Sequence, residues 1–176
     1  MRAWVYKVNA RRPGRLTGWH FETYFGYRGR KPYEMGGAGW IRSPRSWIHL
    51  RRVRRGDVFV CYQTEERRIY GLARAASDGY EDVPGSGRFN CVDFAPRGLC
   101  LGRPVQVSVP AHRRLFSQVR AFTVPSRGAI HPLGADELRQ VLRALIAENP
   151  EQATWIRVWT EGRPGLHKAA SRRPDD

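Results

Sequence analysis

LRRVRRGDVFVCYQTEERRIYGLARAASDGY, residues Leu50 to Tyr80, decides how this chain is read. A short basic helix runs into a turn at Gly56-Asp57. A strand follows from Val58 to Tyr62, then a polar hairpin turn from Gln63 to Arg68, then a second strand from Ile69 to Ala75. Both strands are rich in Val, Phe, Tyr and Ile and are bounded by turn residues, the composition of a half-buried hairpin. A loop opens at Ser77-Asp78-Gly79-Tyr80. Strand edges and loop together offer Tyr62, Gln63, Asp78 and Tyr80 to one cavity. Rings and hydrogen-bonding side chains at strand ends suit a flat polar ligand better than they suit catalysis.

Upstream of the hairpin, Ala3 to Val8 alternates and predicts a first strand. Residues 10–40 are rich in Gly, Arg and aromatics without a period, so they predict a long loop or two short turns, and long loops inside compact domains carry function. Ser43-Pro44 is a helix start, with Ser as N-cap and Pro at the first helical position. That helix should stop near Arg55, where Gly56 follows.

Downstream, Arg88 to Phe94 and Pro104 to Val109 read as two more strands, the second closed by Pro110. Ala111 to Val119 suits a short helix. Leu138, Val141, Leu142, Leu145 and Ile146 fall at i, i+3, i+4, i+7 and i+8, an amphipathic helix ended by Asn149-Pro150. Thr154 to Trp159 alternates and reads as a last strand or a packed arm. Strands interleaved with short helices, without βαβ repeats, give an α+β domain: a small mixed β-barrel of about five to six strands flanked by short helices. The expected domain spans 1–159, and 160–176, rich in Gly, Pro, Arg and Asp, is expected to be a disordered tail.

The 176 residues suit one domain with a core of its own. No apolar run approaches the about 18 residues of a membrane helix, and the start moves directly into a strand pattern rather than a signal peptide. Cys61, Cys91 and Cys100 lack metal-ligand spacing and read as structural thiols of a reducing compartment. A cytoplasmic monomer is expected.

Net charge is +15, and it is unevenly placed. Residues 1–55 hold fourteen Lys or Arg against two acids, Glu22 and Glu34, a net of +12. Nearly all are Arg, which forks onto phosphate and stacks on bases. This is the electrostatic footprint of a nucleic-acid partner, with Arg42, Arg45, Arg51, Arg52, Arg54 and Arg55 as the expected phosphate contacts.

No H-E-x-x-H or C-x-x-C spacing is present, and no P-loop, G-x-S-x-G or Rossmann glycine pattern. No metal or cofactor is expected. A nuclease needs carboxylates converging on a metal, and Asp78, Glu81, Asp82 and Asp93 are the only acids available for that minority reading. The aromatics say more. Trp40 lies between Gly36-Gly37-Ala38-Gly39 and Ile41-Arg42-Ser43, where glycines let backbone approach a ligand and the indole offers a face. Tyr80 is the expected second wall and Trp19 the next. Stacking a base between such rings contributes roughly 1–3 kcal/mol.

This pattern resembles the EVE domain of the PUA-like superfamily, which also contains the YTH and ASCH domains. The residues that carry the likeness are Met1 to Asn9 as opening strand, Gly39-Trp40-Ile41-Arg42-Ser43, Leu50-x-x-Val53-x-x-Gly56-Asp57, and Gly71-Leu72-Ala73. The likeness covers roughly residues 1 to 146, and its specific core is Leu50 to Ala75. It implies a PUA-like pseudobarrel with a base pocket shaped by the Trp40–Ile41–Ser43 segment and floored by Lys7, Asn9 and Ser43. Members of the family commonly carry Asn after the Arg, where this chain has Ser43. The shorter side chain either does the work of that Asn or leaves room for a larger ligand.

The expected function is non-catalytic binding of DNA or RNA with one flipped base accepted in an aromatic pocket. That base is a modified one, such as methylated or hydroxymethylated cytosine or methylated adenine. Asn9, Ser43, Gln63 and Asp78 read base edges, with Ser77 in the same loop. A separately encoded nuclease or RNA-processing protein is a further expected partner. The alternatives are an RNA-binding adaptor of ASCH or PUA type without modification preference, and a nuclease.

Overall fold

The computed structural model describes residues 1–10, 20–25, 44–81, 83–95, 98–123 and 128–161, without the side chains of residues 23, 44 and 45. Its centre is a five-stranded mixed sheet. Strand β1 (Ala3–Val8) lies parallel to β2 (Val58–Gln63), with Ala3 opposite Val58 and Val8 opposite Gln63. The hairpin read from the sequence forms, β2 pairing antiparallel with β3 (Arg68–Arg74). Its turn places Arg67 at φ 55°, the left-handed region that tight turns use. A separate two-stranded ribbon pairs β4 (Tyr80–Glu81) with β5 (Phe89–Cys91). The two edges of the large sheet are β6 (Leu99–Gln106), against β3, and β7 (Ile130–Leu133), against β1.

Strand alternation divides the core in two. Ala3, Val5, Val58, Val60 and Tyr62 point to one face, where helices α3 (Pro110–Phe116), α4 (Arg120–Thr123), α5 (Ala135–Glu148) and α6 (Ala153–Glu161) supply Phe116, Ala121, Val141, Leu145, Ile156 and Trp159. Trp4, Tyr6, Phe59, Cys61, Tyr70 and Phe94 point to the other face, covered by α1 (Phe21–Phe25) and α2 (Pro44–Leu50). That second layer is built from rings. Phe59 meets Phe94 edge-on at 4.8 Å and Tyr6 meets Phe21 edge-on at 5.7 Å, the geometry aromatic quadrupoles favour. The ring of Phe25 rests on the backbone of Gly71, where an added Cβ would lie 2.7 Å from Phe25 Cζ and 2.2 Å from the Leu99 carbonyl oxygen.

Four expectations are corrected. Thr154 to Trp159 is neither strand nor arm but part of α6, because Ile156, Trp159 and Thr160 are buried at i, i+3 and i+4 with Arg157 outside. The strand placed at Pro104 to Val109 begins earlier, at Leu99, and ends at Gln106. Pro104 is tolerated because β6 is an edge. The strand bulges there, and the amides of Gly102 and Arg103 donate to Gln152 Oε1 (2.8 Å) and Asn149 Oδ1 (2.7 Å) instead of to β3. The Asn149-Pro150 step that ends α5 therefore also holds the bulge. Strand β7 was not expected, and it brings the strands to seven among the described residues. The long loop expected over 10–40 contains α1.

No helix among the described residues is long and apolar enough to cross a membrane.

Candidate nucleic-acid interface

The basic turn after α2 has a simple origin in the sequence. Leu50 and Val53 are fully buried, and the arginines between and after them, Arg51, Arg52, Arg54 and Arg55, are exposed. Backbone bonds hold the turn: Arg51 N to Trp47 O (3.0 Å), Arg52 N to His49 O (2.9 Å) and Val53 N to Leu50 O (2.9 Å). The guanidinium of Arg2 joins it by donating to Arg52 O at 2.7 Å. Arg54, though exposed, is tied to its own turn, its Nη1 donating to the carbonyls of Arg51 and Val53. Arg51, Arg52 and Arg55 present a positive surface.

Asp78, expected to read a base edge, has its carboxylate on this turn. It accepts from Arg55 N at 2.8 Å and lies 3.8 Å from Arg54 Nε. Gly79 makes the approach possible, since an added Cβ would sit 1.9 Å from the Leu50 carbonyl oxygen. Tyr80 follows, 39 % exposed as a residue, with its hydroxyl donating to Asp93 Oδ1 at 2.9 Å. Desolvation, then Asp93, pushes that phenol up to about 12, so it is a neutral donor at physiological pH. Ser77 accepts from Asp93 N through Oγ at 2.9 Å.

On the far side of α2 lies the C-terminal end of β1. The Lys7 amide donates to Ala129 O at 2.7 Å, and Ala129 N donates to the buried Ser46 Oγ at 3.1 Å. The Lys7 side chain is half-buried, and desolvation lowers its pKa. His131 bonds the Gly128 carbonyl through Nε2 at 2.6 Å. Desolvation, with Lys7 and His49 adding smaller effects, takes its pKa down to about 4. The His49 ring lies 6.5 Å from His131, and its Nδ1 is buried with no partner among the described residues. Burial and then Arg52 lower its pKa. One ammonium and two neutral imidazoles therefore sit at the edge of β1, a donor-rich place for a polar ligand. Asn9, the next polar residue, follows a strand end fixed by Thr64, whose amide and Oγ1 both donate to Val8 O.

Tyr62 and Gln63 do not share a cavity. Successive strand residues alternate, so Tyr62 packs in the helical layer with its ring 4.9 Å from Phe122. Gln63 is fully buried on the aromatic side, accepting from Phe21 N (3.2 Å) and donating to Glu65 Oε1 (2.6 Å). Trp19, Trp40, Ile41, Arg42, Ser43 and the side chain of Arg45 lie outside the described residues.

Sequence reading missed the role of the hairpin acids. Glu66 accepts from Tyr70 at 2.5 Å and meets His20 Nε2 at 3.0 Å, tying α1 to the hairpin. Burial pushes Glu66 up, but these bonds outweigh it and leave its pKa lowered. The signal available was a Glu-Glu pair in a turn facing an aromatic loop. Sequence reading also missed His49 and His131, which lie 82 positions apart and share no motif. Among the described residues no group of three or more His, Cys, Asp or Glu is arranged to hold a metal, and Asp78 and Asp93 are engaged as described.

No family model matches the chain, and no curated protein resembles its sequence significantly. Solved structures do resemble its fold. The DUF55 domain of human thymocyte nuclear protein 1 matches with a TM-score of 0.60 at 18 % identity, over 81 % of this chain and 98 % of that one. The chain has the PUA-like fold of the EVE, or DUF55, domain. Human THYN1 protein in complex with 5-methylcytosine containing DNA matches equally well, at 0.60 and 19 % identity over 82 % and 98 %. A protein from Rhodopseudomonas palustris solved by NMR matches at 0.57 and 23 % identity over 80 % and 90 %. In the EVE fold seen here, α2 is the element between the basic turn and the end of β1.

Proposed function

We propose that this EVE-fold chain is a non-catalytic nucleic-acid-binding module that takes one turned-out, modified base into a pocket beside the end of β1. The observation that carries the reading is the joint placement made by α2. Its C-terminal turn exposes Arg51, Arg52 and Arg55, and its other flank borders the half-buried Lys7 with His49 and His131. Phosphates bind these arginines together with Arg42 and Arg45 and position the strand, while Arg54, expected as a further contact, chiefly braces the turn. The pocket reads the base, because phosphate contacts position and base contacts specify. Asn9, Ser43 and Lys7 meet its edge, with Trp40 and Tyr80 as walls. The THYN1 complex with 5-methylcytosine DNA supports a modified cytosine as the first candidate. A pocket shaped for an added methyl gains roughly 1–3 kcal/mol of discrimination from it.

Two substitutions test the reading. Trp40→Ala and Tyr80→Ala should each weaken binding of the preferred base by roughly 1–3 kcal/mol, the stacking contribution. The Tm should change little, and the salt dependence of residual binding should persist. Loss of folding in Trp40→Ala together with unaltered base preference in Tyr80→Ala would remove the pocket from this position.

A further inference from the structure

Helix α2 has one face with no assigned role. At about 100° per residue, its successive side chains go to four different places. Ser46 is buried and bonds Ala129. Trp47 turns toward the ribbon, where the Arg88 guanidinium lies 5.4 Å from its ring centroid. His49 turns the other way, 6.2 Å from Trp4 and 6.5 Å from His131. Leu50 is fully buried. Ile48 is left pointing away from the body of the protein, 55 % exposed. Arg51 and Arg52, at i+3 and i+4, stand beside it and are exposed too.

Single exposed apolar residues are ordinary on protein surfaces, and Met1 and Val83 are two others here. Ile48 differs in its surroundings. It is a β-branched side chain, stiff about χ1, on a helix packed on its remaining sides, beside cations suited to flanking phosphates. Apolar side chains of this kind enter base steps and prop them open in proteins that deform DNA. A base leaving a duplex also opens a gap in the stack that something must fill.

We infer that Ile48 is a wedge for duplex DNA, entering the stack at the step from which the modified base is withdrawn while Arg51 and Arg52 hold the phosphates on either side. The inference rests on the base-binding reading above and adds to it that the substrate is double-stranded and that the protein takes part in opening it.

The test compares two probes, a duplex with one 5-methylcytosine and the same modified strand alone, each binding wild type, Ile48→Ala and Ile48→Leu. Ile48→Ala should bind the duplex about tenfold more weakly and the single strand within about twofold of wild type, because only the duplex must be unstacked. Ile48→Leu should restore most of the duplex affinity. A 2-aminopurine beside the modified cytosine should brighten with wild type and less with Ile48→Ala. Equal weakening on both probes, or none, overturns the wedge. Wild-type binding to the single strand but not the duplex also overturns it and leaves the base-binding reading intact. Binding to neither probe takes down the wedge on this substrate and with it 5-methylcytosine as the accepted base.

Discussion

The indole N–H of Trp4 donates to the buried carboxylate of Asp57 at 3.0 Å, across 53 positions of sequence. The same carboxylate accepts from Arg2 N at 2.7 Å and Arg54 N at 3.0 Å. One side chain thus fixes the entry to β1, the entry to β2 and the basic turn that precedes it. This is the physical content of the Gly56-Asp57 step. Gly56 takes φ 89°, a left-handed conformation that side chains avoid, and delivers Asp57 to three N–H groups.

Asp57→Ala should therefore destabilise the fold by about 3 kcal/mol, because it strands donors that bonded a charged acceptor. Asp57→Asn should recover only part of the loss, since its NH2 group would face a donor. Urea unfolding of the three proteins measures this. An Ala variant as stable as wild type would show that water replaces the carboxylate without cost.

Acid should weaken the fold through His131. Its folded pKa of about 4 lies below the unfolded value near 6.5. Between those values the unfolded chain binds the proton and the folded one does not, so stability falls as pH drops from about 6.5 to about 4. His131→Gln should flatten that part of the profile. If the wild-type and variant midpoints fall in parallel between pH 7 and pH 5, His131 is not the titrating group.

Arg51 and Arg52 should govern salt dependence. Replacing both by Glu should lower the slope of log affinity against log salt by about one per lost phosphate contact, while weakening all sequences alike. Arg54, bonded to its own turn, should affect stability more than the slope. A slope unchanged in the double variant would move the phosphate track off this turn.

The central hairpin was legible because alternation, β-branched residues and turn chemistry agree there. Strand β1, the amphipathic face and C-terminal end of α5, and the basic surface were legible for similar reasons. What escaped depended on tertiary context. Thr154 to Trp159 fits a two-residue alternation as well as a helical face, and only packing against the sheet decides between them. Strand β7 is four residues long and contains Pro132, so nothing local announces it. In the proposed site, Lys7 is named by the family resemblance, whereas the histidines beside it, His49 and His131, belong to distant segments that no motif links. Tyr62 and Gln63, placed in one cavity, were separated by the strand alternation that identified the strand itself.

The central claim is that the protein chooses a base by its modification. The most direct measurement is equilibrium binding of the wild-type chain to oligonucleotides identical except for one cytosine, unmodified, 5-methylated or 5-hydroxymethylated, and one adenine, unmodified or N6-methylated. The account predicts that one modified member binds at least about tenfold tighter than its unmodified counterpart, the lower part of what a fitted methyl contributes, with a common salt slope across the set. Equal affinity for every member, at any salt concentration, would contradict it and leave a basic surface that binds nucleic acid without reading it.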